Sequence, residues 1–118
     1  MHLVPAERAV RRVIDEDRVC QAIGGLGDPE AAAIWARRFA VLGDPTRLRL
    51  LLCIRAAGPI SVSDLAVAAD LSDDTVSQAL RFLRASQTVS AERDGRVMRY
   101  RLADASIGEM LSWVTASP

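Results

Sequence analysis

The sequence contains no lysine; all 15 of its basic residues are arginine. A Walker-type phosphate loop is therefore unavailable, because its lysine is the group that reaches the phosphates. A single histidine, His2, stands at the N-terminus, where its ordinary role is that of a solvated terminal side chain. One histidine cannot build a multi-histidine metal site within a chain, and no nucleophile–base pair, triad or His-containing zinc catalytic site is visible, so an enzyme is not expected. Two cysteines, Cys20 and Cys53, give no disulfide framework and so no sign of an oxidising compartment. The start of the chain turns charged too early for a signal peptide, and its apolar runs, Leu50 to Ile54 among them, are far too short for a bilayer. The expectation is a cytoplasmic protein with no membrane partner.

What is present is an aliphatic chain of 118 residues, 50% hydrophobic but only 4% aromatic, enough for one domain whose core rests on Leu, Val, Ile and Ala. At this size pairing with a second copy would help stability. The net charge is zero, yet the signs are unevenly distributed. From Arg81 to Arg101 the chain carries Arg81, Arg84, Arg93, Arg96, Arg99 and Arg101 against Glu92 and Asp94. Such a local basic face can supply the electrostatic footprint of nucleic-acid binding on a neutral protein.

Residues Ala6 to Val19 mix charge with a possible helical face of Val10, Val13 and Ile14. The glycines from Gly24 to Gly27, followed by Asp28-Pro29, predict a loop that sets an N-terminal arm, 1–28, apart from a main domain, 29–118. Glu30 to Leu42 has Ile34, Trp35, Phe39 and Leu42 near helical spacing, ended by Gly43. Asp44-Pro45 opens the next helix, to about Ala57, by capping amides and by placing proline in the first turn. Ser61 and Asp64 have capping-box spacing before a short helix through Ala69, and Ser72 caps another that runs to about Ser86. Two strands follow, Thr88–Arg93 and Val97–Leu102, joined at Asp94-Gly95, a strong hairpin signal. Asp104 then caps a last helix with Ile107, Met110, Leu111 and Val114 as one apolar stripe, a face that calls for a partner surface.

Two helices separated by only Asp70 and Leu71 form a helix-turn-helix, whose second helix enters the major groove; the hairpin is then a wing. The predicted fold is mainly α with a small β-hairpin, a dimeric winged helix-turn-helix. The second helix turns Val76, Leu80 and Leu83 inward and offers Asp73, Thr75, Ser77, Gln78 and Arg81 outward. Gln78 can bond adenine, while Arg81 can take guanine or phosphate. A merely polar helix face would look similar; the arginine-rich hairpin behind it favours DNA. Arg84 sits to meet phosphate, and in the wing Arg96 and Arg99 are preferred over Arg93, because Asp94 opposes phosphate and Glu92 can pair across the strands.

The segments Leu42-Gly43-Asp44-Pro45-Thr46-Arg47-Leu48-Arg49-Leu50-Leu51, Val62-Ser63-Asp64-Leu65-Ala66, Thr75 to Arg84 and Arg93 to Leu102 resemble the ArsR/SmtB family in order and spacing, over roughly Trp35 to Trp113. The resemblance implies a winged-helix homodimer built on its first and last helices. It also implies repression through a palindromic operator, with release when an inducer, often a metal ion, binds. The family's metal positions depart here: Ser61 and Ser63 stand where one site has cysteines, and Ser106 where a last-helix site has histidine, although Asp104 remains. Cys20 and Cys53 are left as candidate thiolate ligands for arsenite, cadmium, lead or copper(I). Cys53, in a leucine-rich helix, also fits a plain core role. A redox response, no inducer at all, or a winged helix serving as a protein-interaction module are the alternatives.

Overall fold

The structure is a computed structural model and describes residues 5–9 and 11–116; His2 lies outside them. Its elements in chain order are α1 (Ala6–Ala9), α2 (Glu16–Leu26), α3 (Pro29–Leu42), α4 (Pro45–Ala57), β1 (Ile60–Ser61), α5 (Val62–Ala69), α6 (Asp73–Ala85), β2 (Val89–Asp94), β3 (Val97–Leu102) and α7 (Ala105–Ala116). By internal contacts the chain divides into two compact units, 1–37 and 38–118, with the division inside α3.

In the first unit, Asp15 caps α2 by accepting from the Arg18 amide, and its carboxylate also pairs with the Arg18 guanidinium at 2.9 Å. The expected break at Gly24-Gly25 is not there: α2 runs through both glycines to Leu26. Glycine inside a helix costs only about 1 kcal/mol, and the cap plus Glu16 and Asp17 in the first turn offset part of that. The helix stops instead at Gly27, whose φ of +64° suits glycine. Asp28 then accepts from the Glu30 amide at the start of α3.

The second unit is built around α4. Asp44 accepts from the Arg47 amide at 2.9 Å, with Pro45 in the first turn. From this capped start α4 packs against α5, α6, α7 and β3. Leu50, Leu51, Leu65, Val76, Leu80, Leu83, Ile107 and Leu111 are fully buried and form one continuous aliphatic core. The caps read from sequence are all present: Ser61 accepts from the Asp64 amide, Ser72 from the Thr75 amide, and Asp104 from the Ser106 and Ile107 amides. Between α5 and α6, Asp70 adopts a left-handed conformation (φ 56°), which aspartate tolerates and which makes the turn tight.

Two features of the sheet were not expected. A third strand, β1, pairs antiparallel with β3 (Ile60↔Tyr100, Ser61↔Arg99), giving the order β1-β3-β2. Two residues are too few to show an alternating pattern, so nothing in the sequence marks it. The hairpin also turns one residue later than expected. Asp94 pairs with Val97, so the loop is Gly95-Arg96, with Gly95 at φ +65°.

The stripe on α7 finds most of its partner inside the chain. Ile107, Met110 and Leu111 are buried in the core, whereas Trp113 and Val114, in the last turns of the helix, remain 62% and 44% exposed. The start of α7 is held by Asp104, whose carboxylate also accepts from Arg38 Nε at 3.1 Å. Burial pushes this carboxyl up, but the Arg38 hydrogen bond, the Ile107 amide, the Arg38 charge and the Ser106 amide together outweigh it and hold the pKa below the ordinary 3.8. A lowered folded pKa means that the charge contributes fully above the unfolded value and is lost as pH falls through the folded one. Asp104→Asn is expected to cost about 1 kcal/mol of unfolding free energy at neutral pH. In urea titrations the cost should vanish at a pH below both values; an equal cost at both would deny the carboxylate charge this role.

Candidate nucleic-acid interface

Helix α6 owes its orientation to Val76, Leu80 and Leu83, all buried. With 100° per residue, that buried face turns Asp74, Gln78 and Arg81 to the opposite side. Ser77 and Arg84 flank this stripe toward the sheet, and Thr75 and Phe82 flank it on the other edge. Thr75, Gln78, Arg81 and Arg84 are exposed, and Ser77 is half-buried. The Thr75 hydroxyl accepts from Ser72 Oγ at 2.8 Å, so this side chain is already part of the cap. Asp73 and Asp74 occupy the first turn, where they stabilise the helix but put negative charge at its leading end.

The far edge of α6 is tied down by Arg47. Its guanidinium lies 4.3 Å from the centre of the Phe82 ring, while Nε and Nη2 donate to the Val41 and Ala40 carbonyls at 3.0 and 2.9 Å. One side chain thus satisfies carbonyls at the C-terminal end of α3 and covers a half-exposed aromatic ring on α6. The sequence alone did not point to this role for Arg47.

How the remaining arginines of residues 38–118 are used is informative. Arg38 pairs with Asp104, Arg49 donates to the Ala69 carbonyl, Arg55 to Thr115, Arg101 to Ser90, and Arg99 pairs with Asp94. Arg81, Arg84, Arg93 and Arg96 make no side-chain hydrogen bond, ion pair or ring contact among the described residues. All four lie on α6 or on the hairpin.

The hairpin itself is only partly as expected. Arg96 sits in the two-residue loop and is exposed. Arg99 faces Glu92 across the strands, and its Nε lies 3.2 Å from Asp94 Oδ2. That approach is an ionic contact at a poor hydrogen-bonding angle, since Nε is buried without a hydrogen-bond partner. Arg93, which the sequence ranked below Arg96 and Arg99, is like Arg96 without a carboxylate partner among the described residues. Between α6 and β3 lies an open cleft of about 440 Å³ lined by Ser77, Leu80, Arg81, Arg84, Ala85 and Tyr100. Tyr100 is a site residue that the sequence reading missed, because alternation along β3 assigns it to the core face, which it does join.

The proposed thiolate ligands sit in different surroundings. Cys53 is half-buried on α4 and packs against the aliphatic core, as a small hydrophobe does; Cys20 is half-buried on α2. Among the described residues no three His, Cys, Asp or Glu side chains gather as a metal site. Asp104 caps α7 and pairs with Arg38, and the last-helix site lacks its histidine, since Ser106 stands there. Within one chain the residues described do not fit a closed metal centre.

Comparison with known proteins agrees with this geometry. Residues 44–90 match the family model for bacterial regulatory proteins of the arsR family. The HTH-type transcriptional regulator NmtR of Mycobacterium tuberculosis is 38% identical over 84 residues, covering 71% of this chain and 69% of that protein. The chain belongs to the arsR family. It is accordingly a winged-helix DNA-binding transcriptional repressor and not an enzyme. The transcriptional repressor SmtB homolog of Synechocystis is 44% identical over 69 residues, 58% of this chain but only 52% of that relative. Among solved structures, the antimony-specific transcriptional repressor AntR superposes with a TM-score of 0.64 at 26% identity, over 96% of this chain and 90% of that one. No helix among the described residues is long and apolar enough to cross a membrane.

If Asp94 screens the wing, its neutralisation should strengthen binding to a phosphate backbone. Asp94→Asn is expected to tighten duplex DNA binding by about threefold at low salt, an effect that shrinks as salt rises. Fluorescence anisotropy measures it; weaker binding by the variant would show that the Asp94–Arg99 pair shapes the wing instead.

Proposed function

We propose that this repressor binds a palindromic operator as a homodimer, with α6 in the major groove and the β2–β3 hairpin reaching the neighbouring minor groove. The observation that carries this reading is the gathering of Arg81, Arg84, Arg93 and Arg96, which have no partner among the described residues, on those two elements. Burying an arginine's contacts inside the fold stabilises the fold; leaving four unpaired on one pair of elements suits an external anion. Gln78, at the centre of the outward stripe, is the base-reading candidate, with Thr75 and Ser77 beside it. Arg84 meets phosphate, Arg96 enters the groove from the loop, and Arg99 joins once Asp94 releases it.

The dimer would form through the apolar surface left on α3 and α7, where Phe39 and Trp113 are 58% and 62% exposed. Two copies related by a twofold axis match the two half-sites of a palindrome. For the inducer we favour a thiophilic ion such as arsenite, cadmium, lead or copper(I), taken by Cys20 with or without Cys53, and completed by ligands from the second copy. The antimony specificity of the similar repressor AntR supports a soft ion as the inducer. A protein-docking winged helix is less well supported, since the outward face of α6 is polar.

Operator selection from a random duplex library, followed by anisotropy, tests the first part. Gln78→Ala should lose about 1–3 kcal/mol on the selected operator and relax its preference at one base pair per half-site. No enrichment of any sequence would refute operator recognition. For the sensor, arsenite or cadmium is expected to release the wild type from the operator but not Cys20→Ser. Equal release of both would remove Cys20 from the response.

A further inference from the structure

We infer that the cleft between α6 and β3 seats a DNA backbone phosphate, and that Tyr100 is a phosphate-binding residue of this protein. The inference rests on the reading of α6 and the hairpin as the DNA-binding elements. With α6 in the major groove and the hairpin tip in the adjacent minor groove, the sugar–phosphate ridge that separates the two grooves has to cross the gap between them. That gap is the cleft lined by Ser77, Leu80, Arg81, Arg84, Ala85 and Tyr100, about 440 Å³ and open to solvent.

Its polar lining is entirely of one chemical kind. Ser77, Arg81, Arg84 and Tyr100 all carry donors, and among the described residues no carboxylate lines the cleft. Neither guanidinium has a partner among the described residues. The acidic side chains of this part of the molecule lie elsewhere: Asp73 and Asp74 in the first turn of α6, Glu92 on β2, and Asp94 beside Arg99 at the hairpin end. Tyr100 is held in register by pairing with Ile60 on one side and Ala91 on the other, so its phenol projects from the central strand of the sheet rather than from a mobile tip. Tyr100 is half-buried, packs on the core and also lines the cleft. A rigid ring with a hydroxyl end, lining the same cleft as two arginines without partners among the described residues, provides a third donor for a phosphate oxygen.

Arg81 thereby acquires a definite role. Although it lies near the outward stripe, Arg81 also lines the cleft and so takes the backbone, leaving sequence discrimination to Gln78 and its neighbours. A backbone contact weakens binding to all duplexes alike, whereas a base contact changes the preference between them.

The test is Tyr100→Phe, which keeps the ring and removes only the hydroxyl, alongside Arg81→Gln and Arg84→Gln. Binding is measured on the selected operator and on a scrambled duplex of the same length, over a salt series, with circular dichroism to confirm an unchanged fold. Tyr100→Phe is expected to weaken both duplexes by roughly tenfold, as loss of a hydrogen bond to a charged group does, with an unchanged ratio between them. Each arginine variant should also leave the ratio unchanged and reduce the slope of log affinity against log salt by about 1. Wild-type affinity in Tyr100→Phe would overturn the role of Tyr100. A collapse of the operator-to-scrambled ratio in Arg81→Gln would overturn the phosphate seat and make Arg81 a base reader. Failure of the wild type to bind either duplex would instead remove the DNA-binding reading on which the inference stands.

Discussion

Val76, Leu80 and Leu83 are inserted without residue into an aliphatic core supplied by α4, α5 and α7, and this burial fixes the rotation of α6 about its own axis. A helix that buries three side chains at this spacing has no freedom to choose what it shows outside. Removing one methyl-rich side chain from such a packed core costs several kcal/mol, more than any single exposed contact returns. The outward order of Asp74, Gln78, Arg81 and their flanking neighbours is therefore a consequence of packing on the opposite side. Arg47 completes the restraint at the edge, with its guanidinium over Phe82 and its donors on the carbonyls that end α3.

The same economy governs charge. A chain of zero net charge can still present a cationic surface if some arginines are neutralised by the fold and others are not. Arg38, Arg49, Arg55 and Arg101 are tied to groups between or along elements, and Arg99 is held by Asp94. Within residues 38–118, what remains projects from α6 and the hairpin. The acidic residues near that surface moderate it: Asp73 and Asp74 stabilise the helix start, and Asp94 restrains one wing arginine. A regulator that must release its operator has reason to keep its non-specific electrostatic attraction modest, because that attraction is common to every DNA sequence.

Much of this architecture was legible in one dimension. Asp44-Pro45, Ser61, Ser72 and Asp104 announced four helix starts, since short oxygen-bearing side chains at those points satisfy amides that a helix leaves open. The spacing of Val76, Leu80 and Leu83 identified the buried face of α6, and Asp-Gly between two alternating runs identified the hairpin. The reading faltered where the governing interaction was either non-local or only marginally local. Gly24 and Gly25 look like a break but lie inside α2, because a modest local cost does not end a helix whose start is well capped. β1 exists only because β3 offers it an edge, and two residues carry no pattern of their own.

Local chemistry along the chain thus determined the elements, their caps, the helix-turn-helix order and the family to which the protein belongs, because each depends on residues within a few positions of one another. Only the tertiary structure decided which arginines are free. Whether Arg38 reaches Asp104, and whether Tyr100 joins Arg81 and Arg84 around one cleft, depends on elements distant in sequence being brought together, since hydrogen bonds and ion pairs act only over a few ångströms. Spacing along the chain carries no information about those distances.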